Sequence, residues 1–364
     1  MVIGTLVPPI ISREKVTRTG TDGERRVNNS WAPKCATVER VKNLARVVTL
    51  TPAPSIDRTY QVHAMSPGEV HRARRVSAEF AGKGVNVSRG LGVAGISSLA
   101  VVPLSHQDQL SWAEDTLVVS STVPGSVRVS ITVTEDDGRT TKINEYPPAL
   151  SPQDWQALQE TTLRVLSENK PSWLLIAGTM PLTTEGAPLD LSNLCHRARE
   201  LGCSIAVDTS GVSLANVARA GLPDVIKPNT PELAECVQRS LHTLGDVLAA
   251  AREVVGWGVD TVLVSLGSDG MVGVSATQAF HSWTNRVRVA NTIGAGDASV
   301  AGFLAQSLEQ PANLGAAVAN AVAWGAHKVQ QPSSQLHNLE NLPEVFSTTS
   351  PDRSQNLDEP GLVS

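Results

Sequence analysis

The stretch Asn291-Thr292-Ile293-Gly294-Ala295-Gly296-Asp297-Ala298 holds the residue types needed to move a phosphoryl group. Glycines let backbone N–H groups approach a ligand with no side chain in the way. The apolar run Val300 to Ala305 predicts a helix just after them. A helix start offers unpaired N–H donors and a partial positive charge, which together favour anions. Asp297 beside such donors can take a proton from an attacking hydroxyl. Donors for the moving phosphoryl and a base for the nucleophile point to phosphoryl transfer. Taken alone, the stretch also fits a strand-to-helix turn in which Asp297 merely caps.

Other segments carry weaker signals of the same kind. Ala81-Gly82-Lys83-Gly84-Val85-Asn86 surrounds a lysine with small residues, and Lys83 is a point charge suited to a phosphate. Asn229 and Glu232 lie three apart at a helix entrance. Glu232 can hold a magnesium ion, directly or through water, or the two can form a capping pair. Asp57 is expected just past the first strand, on the sheet edge where ligands bind in open α/β folds. A structural turn is its competing reading. Arg128 lies on the polar face of an alternating strand and can reach a phosphate bidentately, or serve only as an outward charge. Gly90-Leu91-Gly92-Val93-Ala94-Gly95 matches the dinucleotide fingerprint but trails a helical stretch instead of following a strand. It is read as a helix end.

Alternating elements are expected to position these residues. Val47 to Thr51 has the signature of a buried strand. Residues 58–80 and 126–146 predict hairpins, the second turning at Asp136-Asp137-Gly138-Arg139. After Pro152, helical segments alternate with the strands Trp173 to Ala177, Ser204 to Val207, Val225-Ile226 and Val262 to Ser265. An alanine-rich helix over 312–329 closes the series. The pattern predicts a doubly wound α/β fold, a mostly parallel sheet with helices on both faces. Residues 1–44, basic and aperiodic, are expected to be a flexible extension, and 340–364 an untethered tail.

Composition narrows the classes. The 364 residues are 41% hydrophobic and 18% charged, with a net charge of -5, which fits a globular protein and argues against nucleic acid as partner. No apolar run reaches membrane-spanning length, so no membrane partner is expected. Val2 to Ile11 is apolar but broken by Pro8-Pro9, and is expected to be a poor signal peptide. Cys35, Cys195, Cys203 and Cys236 form no CxxC pair, and a reducing cytoplasm fits best.

Taken together, residues 46 to about 335 resemble the ribokinase-like, PfkB-type carbohydrate kinases. Ala81 to Asn86 looks like the family's N-terminal glycine signature, and Asn291 to Gly302 like its C-terminal one. Asn229-xx-Glu232 matches its NxxE motif, and Ser265-Leu266-Gly267-xx-Gly270 its nucleotide loop. Ile56-Asp57-Arg58-Thr59, Pro67-Gly68-Glu69-Val70, Gly82-Lys83-Gly84, Lys142-Ile143-Asn144-Glu145 and Lys227-Pro228-Asn229 are similar to the 1-phosphofructokinase branch.

The resemblance implies Asp297 as base, with Gly294, Ala295 and Gly296 as anion hole. It implies Asp57 on sugar hydroxyls, and Gly82, Lys83, Asn86 and Arg128 around the substrate, the last three near its existing phosphate. Lys227, Asn229, Ser265, Gly267 and Gly270 would serve ATP, and Glu232 the Mg2+. The two hairpins would form a small β-sheet lid, through which a homodimer is expected. The implied reaction takes fructose 1-phosphate and ATP to fructose 1,6-bisphosphate and ADP. A tagatose 6-phosphate or fructose 6-phosphate kinase, or a non-catalytic descendant that binds a phosphorylated ketohexose, are the alternatives. The chain departs from the branch pattern at Ala53, Ala81, Ser105-His106, Ser130 and Ala177, where added or altered side chains bear on the lid hinge and the sugar pocket.

Overall fold

The backbone of Val47–Leu50 is buried on both faces, so alternate side chains must feed two separate cores. In the computed structural model, which describes residues 44–112 and 115–363, they do. The basic segment expected to be flexible lies outside the described residues, apart from Leu44. In chain order the first elements are β1 (Val47–Leu50), β2 (Ser55–Gln61), β3 (Arg75–Ala81), α1 (Lys83–Val93), β4 (Ser98–Leu104), α2 (His106–Ser111), β5 (Val118–Thr122), β6 (Arg128–Thr134) and β7 (Thr140–Asn144). Then come α3 (Pro152–Asn169), β8 (Trp173–Ala177), α4 (Ser192–Glu200), β9 (Ser204–Asp208), α5 (Gly211–Arg219), β10 (Val225–Ile226), α6 (Thr230–Val237) and β11 (Leu241–Thr243). The remainder is α7 (Leu244–Gly256), β12 (Thr261–Ser265), β13 (Met271–Ser275), β14 (Ala279–Thr284), α8 (Ala295–Glu309), α9 (Leu314–Lys328), β15 (Val345–Thr348) and β16 (Asn356–Gly361).

The main sheet runs β15-β14-β13-β12-β10-β9-β8-β1-β4-β5. From β12 to β5 neighbouring strands are parallel, whereas β13, β14 and β15 extend the sheet antiparallel. Val48, Leu50, Leu174, Ile176, Ile205 and Val207 enter a core shared with helices α3 to α7. Val47, Leu175, Ala177 and Ala206 enter the opposite core, with α1, α8 and α9. This period-two division accounts for the continuous apolar runs of the central strands. Gly90-to-Gly95 falls at the end of α1, with Gly95 at φ +73°, as the helix-end reading expected.

A second sheet, β3-β2-β6-β7, forms the predicted lid. It begins earlier than residue 58: Asp57 lies within β2, paired with Glu79 and Ser130, and not in a turn past β1. The reason is that β2 leaves β1 after only Thr51-Pro52-Ala53-Pro54, too short a link for a separate loop. Pairing sorts the lid into two faces. Ser55, Asp57, Glu79, Arg128, Ser130 and Lys142 share the polar one; Tyr60, Val76, Ile131, Val133 and Ile143 share the other. Val76 and Ile143 on that apolar face are 54% and 58% exposed.

The C-terminal segment differs from the untethered tail expected. β15 adds to the main sheet beside β14, and β16 pairs antiparallel with β11. These strands are short, and their partners lie far off in sequence, so no local period marks them. Leu357 is buried in the core shared with α6 and α7. Leu357→Ala is expected to cost about 2–4 kcal/mol of stability. A urea midpoint unchanged by the substitution would show that the segment is not packed.

Candidate active site

α1 and α8 cross where Gly90 meets Ala301; a Cβ on Gly90 would lie 3.2 Å from that of Ala301. One turn earlier on each helix, Asn86 Nδ2 donates to Asp297 Oδ2 at 2.8 Å. Close packing of small residues therefore sets the position of both polar side chains. Gly294 caps α8 at φ +80°, and a Cβ there would come within 2.1 Å of Ser334 O. Only glycine fits that contact. Ala295 N–H donates to Thr292 O at 3.3 Å, and Ala298 N–H to Gly294 O at 2.9 Å. The N–H groups of Gly294, Gly296 and Asp297 have no acceptor among the described residues. They are the open donors that an anion at this helix start would meet.

Asp208, the last residue of β9, is the hub of the crevice. It is 1% exposed, and its Oδ1 receives Lys83 Nζ at 3.0 Å and Lys227 Nζ at 3.5 Å. Lys227 follows β10, and Lys83 opens α1. Lys227 Nζ would lie 3.6 Å from a Cβ on Gly296, so the ammonium adjoins the helix start. Lys83, Asn86, Lys227, Gly296 and Asp297 thus converge, and Asp208 joins them. Sequence reasoning does not single out Asp208. The available signal was a carboxylate ending the buried strand Ser204-Ile205-Ala206-Val207.

The electrostatics follow from burial and these pairings. Burial opposes the Asp208 carboxylate, yet Lys227 and Lys83 hold its pKa below the usual carboxylate range. Burial likewise opposes the Lys83 ammonium, but Asp208, Asp297 and Glu232 more than offset it and raise its pKa. Asp297 is pushed up to about 6, first by burial and then by the charge of Asp208; Asn86, Lys83 and Lys227 pull the other way. Asp208 Oδ2 and Asn86 Oδ1 are buried with no hydrogen-bond partner among the described residues. Orphaned acceptors in a charged crevice mark a place for ligand or water.

Beside this cluster, Asn229 bridges to Ser265, and Ser265 N–H donates to Pro228 O at 3.1 Å. Asn229 and Glu232 form a reciprocal capping box: Glu232 N–H donates to Asn229 Oδ1 at 2.8 Å, and Asn229 N–H to Glu232 Oε2 at 2.9 Å. Gly267 turns at φ +60°, where a Cβ would lie 2.7 Å from Cδ of Glu359 in β16. Ser268 Oγ donates to Asp358 at 2.6 Å, so the C-terminal strand is tied to this loop. Gly270 packs on Ser282 O and shapes the turn into β13. Gly82 precedes α1, and its carbonyl accepts from Asn86 N–H at 2.8 Å.

Asp57 and Arg128 sit apart from the cluster, on the polar face of the lid. Ser55 Oγ donates to Asp57 Oδ1 at 2.7 Å. Burial raises the Asp57 pKa, opposed by the Ser55 hydrogen bond and the Arg128 charge. Arg128 donates to Glu145 O at 3.3 Å, and its buried Nε has no partner among the described residues.

Magnesium prefers one or two carboxylates plus substrate phosphates to an all-protein cage. The site suits that pattern. Among the described residues no group of three His, Cys, Asp or Glu could hold a metal, while Glu232 commits Oε2 to its cap and has Oε1 to spare. Charged donors, a helix start and a buried carboxylate on the C-terminal edge of a parallel sheet define a phosphotransferase site.

Comparison with known proteins agrees. Residues 50–341 match the profile of the pfkB family carbohydrate kinases. A 1-phosphofructokinase of Rhodobacter capsulatus is 31% identical over 266 residues, covering 71% of this chain and 83% of the relative. An ATP-dependent 6-phosphofructokinase isozyme 2 of Escherichia coli is 29% identical over 312 residues, covering 84% and 99%. The crystal structure of phosphofructokinase-2 from Escherichia coli in complex with potassium superposes with a TM-score of 0.73 at 27% identity, covering 82% of this chain and 96% of that one. The chain belongs to the pfkB family of carbohydrate kinases. It has a ribokinase-like fold, and the relatives it is similar to carry the name phosphofructokinase.

Asp297→Asn is expected to lower kcat by about 10²–10⁴-fold with sugar-phosphate binding retained. A base must be ionised to act, so kcat/KM of the wild type should fall as pH drops below about 6. Steady-state kinetics between pH 5 and 8 check both; undiminished turnover in the variant would remove Asp297 from the reaction.

Proposed function

We propose that this kinase takes fructose 1-phosphate and ATP to fructose 1,6-bisphosphate and ADP. The observation that carries the reading is the Asp297 carboxylate, held beside open N–H donors at the head of α8 with its pKa raised to about 6. Such a carboxylate is ionised at neutral pH yet more basic than an ordinary aspartate. The sugar hydroxyl would give its proton to Asp297 as its oxygen bonds the γ-phosphorus and the bond to ADP breaks. In this reading Gly294 and Gly296 supply the anion hole; Ala295, expected to join them, gives its N–H to Thr292 O and shapes the loop instead. Asp57 orients sugar hydroxyls and Gly82 lines the substrate, while Lys83, Asn86 and Arg128 lie near its existing phosphate. Lys227, Asn229, Ser265, Gly267 and Gly270 receive ATP. Glu232 would hold Mg2+, whose chemistry is to neutralise phosphate charge.

A second reading, turnover of fructose 6-phosphate, is favoured by the Escherichia coli relative named as a 6-phosphofructokinase. Both readings need a phosphate site, so the lysines and Arg128 do not separate them. The exposed apolar lid face supports a homodimer formed through it, by the principle that such patches mark interaction surfaces. The reducing cytoplasm is the expected workplace, where buried free thiols such as Cys195, Cys203 and Cys236 stay reduced.

Turnover of a panel of phosphoketohexoses with ATP and Mg2+ tests the reaction: fructose 1-phosphate should give the highest kcat/KM, and no turnover of any member would defeat the reading. Arg128→Met should raise KM for the phosphosugar about tenfold or more. Ile143→Asp should shift the sedimentation of the protein to the monomer; an unchanged profile would place any interface elsewhere.

A further inference from the structure

Lys328, the last residue of α9, is a charged side chain that the chemistry above does not use. It is 0% exposed. Its Nζ donates to the carbonyl oxygen of Asn291 at 3.1 Å, at the head of the glycine loop. Its side chain also lies against the loop's apex: a Cβ on Gly294 would be 3.5 Å from Lys328 Cε. Burying an ammonium is costly unless it is paired or put to use. Here its hydrogen-bonded partner is a neutral carbonyl, not a carboxylate.

The segment that follows α9 clasps the same loop. Val329 O accepts from the N–H groups of Ala290 and Asn291, at 2.7 and 3.0 Å. Asn291 Nδ2 donates to Pro332 O at 3.0 Å, and Ile293 N–H donates back to Asn291 Oδ1 at 2.9 Å. Ser334 O abuts Gly294. Gln335 Nε2 reaches Glu79 of the lid at 3.1 Å. One short segment therefore joins the lid to the loop that presents the open N–H donors, and Lys328 is its charged end.

We propose that Lys328 is a positioning residue for the phosphoryl transfer: its buried ammonium fixes the Asn291 carbonyl, and through it the orientation of the Gly294 and Gly296 donors. This rests on the kinase reading above. The ammonium also sets a positive charge behind the donors, where negative charge gathers on the moving phosphoryl group. Burial depresses the Lys328 pKa to about 8, opposed by the Asp297 charge. Asp297, at the start of α8, is the charged group whose field reaches it. Lys83 and Lys227 are turned to Asp208, His327 on the same helix is turned to Asn338, and Glu79 is turned to Gln335.

Two measurements on the full chain test the assignment. The first is the pH dependence of kcat/KM in the wild type and in Lys328→Met, which keeps bulk and removes charge. The wild type should lose activity above about pH 8, when the ammonium is deprotonated. The variant should lose that alkaline limb, keep the acid limb and show kcat lowered at least tenfold, with both KM values little changed. The second is amide hydrogen exchange, which needs no turnover. Lys328→Gln should exchange faster over residues 291–296 while the rest of α8 stays protected. An unaltered kcat with an unaltered alkaline limb, or unaltered exchange over 291–296, would overturn the proposal. Where wild-type turnover is present, such a result leaves the kinase reading standing; absent turnover on every phosphosugar defeats that reading, and exchange alone then decides the role of Lys328.

Discussion

Two lysines and a buried aspartate, Lys83, Lys227 and Asp208, form the interaction on which the rest of the crevice depends. Two ammonium groups placed this close together would repel each other. Asp208 relieves that repulsion from beneath, at the end of β9. Its own charge then acts on Asp297 and, with burial, makes that carboxylate more basic. With Asp297 ionised, the four groups sum to zero. Were Asp297 to take a proton, as proposed, the crevice would become positive, which suits a phosphoryl group in transit. Removing either member of a buried charge pair leaves the other uncompensated, so the set holds together as a unit.

Small residues bring these charges within reach of one another. Gly90 against Ala301 lets α1 and α8 approach, and Asn86 and Asp297 meet one turn back. Gly302 does the same between α8 and α9, where a Cβ would lie 2.7 Å from Asn320 O. That second contact carries the end of α9 to the glycine loop. The apparent dinucleotide fingerprint in α1 is thus a record of helix packing, and its first glycine serves the active site indirectly.

Much of this was legible in the order of residues. The glycine loop, the start of the first helix, the lid strands and the parallel strands all announce themselves through local period and turn chemistry. Asn229 and Glu232 form the capping pair that their spacing allows, whichever further part Glu232 plays. What sequence could not give is long-range. Asp208 ends a buried strand, and nothing nearby reveals the two lysines that reach it. Lys328 closes an alanine-rich helix and reads as an ordinary last-turn cation until the fold brings it to Asn291. Asp57 was displaced by one element because a four-residue link separates β1 from β2. The strands of the C-terminal segment, with Glu359 against Gly267, are too short to carry a period and pair with distant edges.

The central claim is that the environment of Asp297, and not its mere presence, makes it a base. A pH titration of the aspartate side-chain carboxyl carbons by NMR, with Asp297→Asn assigning the resonance, tests this most directly. A midpoint near 6 is expected for Asp297 in the free enzyme. A midpoint at the ordinary aspartate value of 3.8 would contradict it.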